Sequence, residues 1–130
     1  MILLDTNTLI YCLKGLDPAA SRFRATSPRD LAIPSVVAYE IEFGTLRAPS
    51  LRRRAAADTL LARLQQVPFD HAAAREAAHI RFELERRGLA IGPMDLMIAG
   101  TALSRGAVLV THNTREFSRV KGLHLADWTR

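Results

Sequence analysis

The chain holds a single cysteine, Cys12, so no internal disulfide can form and a disulfide-stapled scaffold is excluded. No apolar run approaches the ~20 residues that a membrane-spanning helix needs. The opening stretch Met1-Ile2-Leu3-Leu4-Asp5 has no basic segment and no small-residue cleavage site, so a signal peptide is not expected and the cytoplasm is the expected location. Internal repeats, low-complexity tracts and Pro/Ser-rich linkers are missing as well. Lysine is scarce, with only Lys14 and Lys121, and acidic residues are in the minority, 13 against 18 basic ones.

What is present has the balance of an ordinary globular protein. Hydrophobic residues make up 48% and charged residues 24% of 130 residues, which predicts one domain over residues 1–130 with a substantial core and excludes disorder. Sixteen of the 18 basic residues are arginine, and the net charge is +5. A planar guanidinium can pair two phosphate oxygens, so the excess suits a nucleic-acid partner. A background that favours alanine and arginine together would give the same surface, so charge by itself leaves the partner open.

Short apolar runs alternate with helical patterns. Ile2-Leu3-Leu4, Leu31-Ala32-Ile33 and Ala107-Val108-Leu109-Val110 read as buried strands, with shorter extended pieces at Val67-Pro68-Phe69 and around His124-Leu125. Helices are predicted from Thr6 to Leu13, Pro18 to Ala25, Val36 to Arg47, Leu51 to Gln66, about Asp70 to Arg87, Gly92 to Ser104 and Thr114 to Ser118, with Ser35 as a candidate cap. The alternation predicts an α/β fold: a central, mainly parallel sheet of four to five short strands flanked by helices.

Three carboxylates stand where solvated surface charges do not belong. Asp5 follows the first strand directly, and ligands in open α/β sheets gather at the carboxyl ends of strands; the alternative is that it only caps the following helix. Asp95 is the one charged residue between Gly92 and Ser104, in the first turn of an otherwise apolar helix, where it could also serve only to complement the helix dipole. Glu40 shares a helical stripe with Val36, Phe43 and Gly44, while Glu42 is turned about 200° away toward solvent. A buried ion pair with an arginine is the alternative for Glu40. Three such residues together describe an acidic cluster, which needs a cation to stay ionised. Oxygen ligands without partnered His or Cys select Mg²⁺ or Mn²⁺, and such a centre hydrolyses phosphodiesters. Asn113, after the strongest strand, is a fourth candidate, able to orient a water. The neighbouring His112 reads mainly as a surface loop residue, and Cys12 as a small core residue rather than a nucleophile.

Taken in order, Leu3-Leu4-Asp5-Thr6-Asn7, Glu40 with Gly44, Gly92-Pro93-Met94-Asp95 with Ile98-Ala99-Gly100, Val110-Thr111-His112-Asn113 leading to Arg115-Glu116-Phe117, and Ala126-Asp127-Trp128 form a recognisable series. Over essentially its whole length the sequence resembles the VapC-type toxins, the PIN-domain ribonucleases of type II toxin–antitoxin modules. The resemblance implies a PIN-like domain, metal-dependent endoribonuclease activity, a DNA-binding VapB-like antitoxin as partner, and a homodimer. It maps the family's acidic residues onto Asp5, Glu40 and Asp95. Many members carry a fourth acid where this chain has Asn113, which puts a full second metal site in doubt and makes Glu116 a substitute to consider. The Asn-containing pattern is similar to toxins that cut initiator tRNA in its anticodon stem-loop.

On this footing Asp5 and Asp95 are expected to ligate Mg²⁺ or Mn²⁺ directly, Glu40 to act through water or a second ion while positioning the attacking hydroxide, and Asn113 to orient that water or a phosphate oxygen. An unpaired RNA loop can bend its backbone into a recessed site more readily than duplex DNA. Two rival readings fit the same residues. A strand ending in aspartate also begins the aspartyl-phosphate enzymes, although Asn7 stands where those place a second aspartate. A non-catalytic module could use the same acidic pocket to receive a partner's arginine.

Overall fold

In a computed structural model that describes residues 1–130, five three- and four-residue strands form one sheet, and every neighbouring pair is parallel. In chain order the elements are β1 (Ile2–Leu4), α1 (Thr6–Leu13), α2 (Ala19–Ala25), a 3-10 turn (Pro28–Asp30), β2 (Leu31–Pro34), α3 (Ser35–Arg47), α4 (Leu51–Arg63), β3 (Gln65–Val67), α5 (His71–Arg86), α6 (Pro93–Ser104), β4 (Val108–Val110), α7 (Thr114–Phe117) and β5 (His124–Ala126). The strand order is β3-β2-β1-β4-β5. Strands covered by helices on both faces must be apolar throughout, and Leu3, Leu4, Ile33 and Leu109 are indeed fully buried. Each such leucine contributes about 1.5–3 kcal/mol relative to exposure.

Side-chain caps start three of the helices. Asp5 accepts the Thr8 N–H ahead of α1, Ser50 accepts the Arg53 N–H ahead of α4, and Asp70 accepts the Ala73 N–H ahead of α5. Pro93 occupies the first turn of α6, where its missing N–H is not needed. Helices α5 and α6 press together so closely that a Cβ placed on Gly100 would lie 2.7 Å from the Ala73 carbonyl oxygen and 2.8 Å from the Ala77 Cβ. No helix is long and apolar enough to cross a membrane.

The observed elements depart from the expected ones in a few places. Helix α4 stops at Arg63 instead of Gln66, and the extended piece lies at Gln65–Val67 rather than 67–69. There Gln65, Gln66 and Val67 pair with Ala32, Ile33 and Pro34 at the sheet edge, and the ladder hydrogen bonds prevail over the helical tendency of two glutamines. Ser35 caps nothing: its hydroxyl donates to the Val67 carbonyl at 3.1 Å and fastens the start of α3 to that edge strand.

Candidate active site

The chain builds β1, β2 and β3 outward on one side, then returns to place β4 on the other side of β1. The carboxyl ends of β1 and β4 therefore flank the point where the winding reverses, the customary place for a ligand crevice. Asp5 is the first residue beyond β1 and Thr111 the first beyond β4. Their backbones stay within the sheet's hydrogen bonding: the Asp5 N–H donates to Val110 at 3.1 Å, and the Thr111 N–H to Ala126 at 2.9 Å. Asp5 is only 7% exposed. Its Oδ1 accepts the Thr8 N–H at 2.9 Å and its Oδ2 accepts the Thr111 hydroxyl at 2.5 Å. The capping and the functional readings of Asp5 are thus compatible, because each oxygen has spent one lone-pair direction and keeps another.

Glu40 reaches the same place from α3. Its Oε1 accepts the Thr6 hydroxyl at 2.6 Å, and no arginine pairs with it. Glu42 faces elsewhere, bound to Arg54 at 2.7 Å. Phe43 does not share the buried stripe expected from spacing; it is 50% exposed, with the Arg47 guanidinium 5.6 Å from its ring centre. A Cβ on Gly44 would touch no other part of the protein.

Asp95, in the first turn of α6, completes the group. Burial, and then the nearby carboxylates of Glu116, Glu40 and Asp5, push its carboxyl up to about 6. Glu116 thus acts on Asp95 more strongly than either of the other two acids. Asn113 stands beside it, with its side-chain amide donating to Glu116 Oε2 at 3.1 Å and its backbone N–H donating to the Thr111 hydroxyl oxygen at 3.0 Å. A continuous chain of hydrogen bonds therefore runs from Asn113 through Thr111 to Asp5. Thr6 and Thr111 fall within the sequence motifs, but their roles in orienting two of the carboxylates have no sequence signal beyond a position just past a strand end.

None of the ion pairs includes Asp5, Glu40, Asp95 or Glu116, so the protein supplies no cation to this cluster. No three His, Cys, Asp or Glu side chains stand close enough to enclose an ion by themselves. An ion bound here would have to complete its coordination with water or phosphate oxygens. His112 is drawn away from the acids, its Nδ1 lying 3.2 Å from Asp127 and 2.9 Å from the Thr129 hydroxyl. Cys12 lies half-buried with its thiol pushed up to about 11 by burial, which leaves it inert as a nucleophile.

Comparisons with known proteins identify the family and the fold. The sequence pattern of the PIN domain matches residues 2–123. The tRNA(fMet)-specific endonuclease VapC of Shigella flexneri is 40% identical over 129 residues, which cover 98% of this chain and 97% of that protein. Among solved structures, VapBC2 of Rickettsia felis bound to a DNA fragment from its promoter superposes with a TM-score of 0.90 at 32% identity, covering 98% of this chain and 99% of the matched one. The DNA-bound VapBC complex of Salmonella typhimurium superposes with a TM-score of 0.88 at 38% identity, covering 98% and 97%.

Proposed function

Because the chain belongs to the PIN-domain family, and within it to the VapC-type ribonuclease toxins, we propose that it is the endoribonuclease toxin of a type II toxin–antitoxin module, acting on initiator tRNA in its anticodon stem-loop. The observation that carries this reading is the cluster of four carboxylates at the carboxyl ends of β1 and β4, which no basic side chain compensates. The substrate rests on the likeness to the Shigella flexneri relative named for tRNA(fMet). The cytoplasm, where tRNA is found, is its proposed place of action. The proposed partners are a VapB-like antitoxin and a second copy of the chain.

In this role Asp5 and Asp95 hold Mg²⁺, with Mn²⁺ as substitute, and Glu40 contributes through water or at a second ion. The chemistry such an ion supplies is Lewis-acid polarisation of the phosphate and of the attacking water. The remaining work belongs to side chains of the protein. Thr111 and the Thr8 N–H fix the rotamer of Asp5, so its free lone pairs point the same way in every turnover. Glu40, held by the Thr6 hydroxyl, orients the attacking water. Asn113 has one amide hydrogen engaged by Glu116, and its other hydrogen and its carbonyl oxygen are free to orient that water or a phosphate oxygen.

The test is cleavage of tRNA(fMet) by the purified chain, alone and with Asp5→Asn or Asp95→Asn. Cutting that depends on Mg²⁺ or Mn²⁺ and is lost in both variants is the expected result. Undiminished cutting by both variants, or activity that survives excess EDTA, would remove the mechanism. No cutting together with no Mn²⁺ binding by calorimetry would leave a module that only receives a partner's arginine.

A further inference from the structure

Beside the acid cluster, α1, α3 and α4 enclose a groove of about 280 Å³ whose walls include Ile10, Leu13, Lys14, Glu40, Gly44 and Arg53. Because Glu40 belongs to both, groove and acid cluster are continuous. Two features distinguish this groove from a simple seam between helices. First, its two cations are unengaged: the side chains of Lys14 and Arg53 are exposed and make neither an ion pair nor a hydrogen bond. The adjacent Arg54, by contrast, is tied to Glu42 at 2.7 Å and Asp58 at 3.2 Å. Second, Gly44 leaves bare backbone in a wall where a side chain would meet nothing of the protein. Inside a helix, glycine is a poor choice on propensity alone, so the open space serves whatever lies in the groove.

We infer that this groove receives the unpaired RNA strand next to the cleaved bond, with Lys14 and Arg53 each holding a backbone phosphate. The assignment rests on the ribonuclease reading of the acid site. An ion at the acid site serves only the scissile phosphate, so the phosphates that flank it need positive side chains of their own. The apolar walls at Ile10 and Leu13 suit ribose and base faces, which are less hydrated than phosphate. The cavity at Gly44 admits the sugar–phosphate backbone close to the helix.

The experiment combines steady-state cleavage of a stem-loop RNA with fluorescence anisotropy of the same RNA carrying fluorescein. In the double variant Lys14→Ala/Arg53→Ala, KM is expected to rise about tenfold with kcat nearly unchanged, and the salt dependence of binding to weaken by about 1.4 in log–log slope, roughly 0.7 for each lost single-strand phosphate contact. Arg53→Lys is expected to recover part of the loss, and Arg52→Ala, outside the groove, to change nothing. Gly44→Leu is expected to raise KM without lowering the melting temperature. An unchanged KM and salt slope in a double variant that melts like the parent overturns the assignment. So does a double variant that cuts like the parent but escapes inhibition by an antitoxin, since the groove is then a protein-docking site. If the parent cuts no RNA, the ribonuclease reading fails, and anisotropy still decides the groove: labelled RNA that does not bind, or binds parent and double variant equally, overturns it.

Discussion

Replacing Asp95 with asparagine should make the metal-free protein more stable while abolishing its activity. In an unfolded chain an aspartate titrates near 3.8, whereas burial and the carboxylates of Glu116, Glu40 and Asp5 push Asp95 up to about 6 in the fold. Between those values the folded state retains a proton that the unfolded chain has released. Stability therefore falls as pH rises through this window, and the penalty is complete above its upper end. Roughly two pH units at about 1.36 kcal/mol each give about 3 kcal/mol as an upper bound. Asp95 is only half-buried, so water and salt reduce this to about 1–2 kcal/mol. Asparagine has nearly the same shape and no charge, and it escapes the penalty. Urea unfolding in EDTA at about pH 7.5 should show the variant more stable than the parent by that amount, and the difference should vanish at about pH 4. Mg²⁺ or Mn²⁺ should stabilise the parent and narrow the gap. A variant no more stable than the parent at the higher pH, or a gap that does not shrink with acid, would refute the argument from clustered charge.

Three further outcomes follow from other contacts. Gly100→Ala forces a methyl group to within 2.7 Å of the Ala73 carbonyl oxygen; we expect a loss of about 1–3 kcal/mol in urea unfolding, despite the better helix propensity of alanine, and unchanged stability would mean that α5 and α6 part without cost. Thr111→Val removes both the donor to Asp5 and the acceptor for the Asn113 N–H; cleavage should fall about tenfold and stability by about 1–3 kcal/mol, with Thr111→Ser keeping most of both. Cys12, whose thiol is pushed up to about 11 by burial, should react with iodoacetamide at about pH 8 some 10–100 times more slowly in the native chain than in urea, as followed by mass spectrometry. Equal rates would place the thiol in water.

How much of this was visible beforehand depended on how local the signal was. Asp5 ends an apolar run and Asp95 is the single charge in α6, so both could be singled out from neighbouring residues alone. The alternation of short strands and helices likewise announced the parallel sheet. Strand β3 begins two residues earlier than the pattern indicates, because Gln65 and Gln66 carry no strand pattern of their own; they are held extended by pairing with β2, more than thirty residues earlier. The hydroxyls of Thr6 and Thr111 lie beyond pattern reading for the same reason, since their partners are 34 and 106 residues away. From the sequence, Glu116 reads only as a substitute for an acid at position 113. In the fold the two residues act together, asparagine holding glutamate beside Asp95.

The bond between Thr111 and Asp5 joins the last fifth of the chain to its first few residues. During synthesis the amino-terminal strand emerges early, yet one of its two neighbours in the sheet, β4, is made only after residues 5, 40 and 95 have all been translated. Until then β1 lacks half of its pairing, Asp5 lacks its second hydrogen bond, and Glu116 has not been added to the cluster. A nascent or prematurely ended chain therefore carries three of the acids without the scaffold that orients them. The contacts that orient the acids are thus completed only once the last fifth of the chain has been made, by the order in which the sheet is assembled.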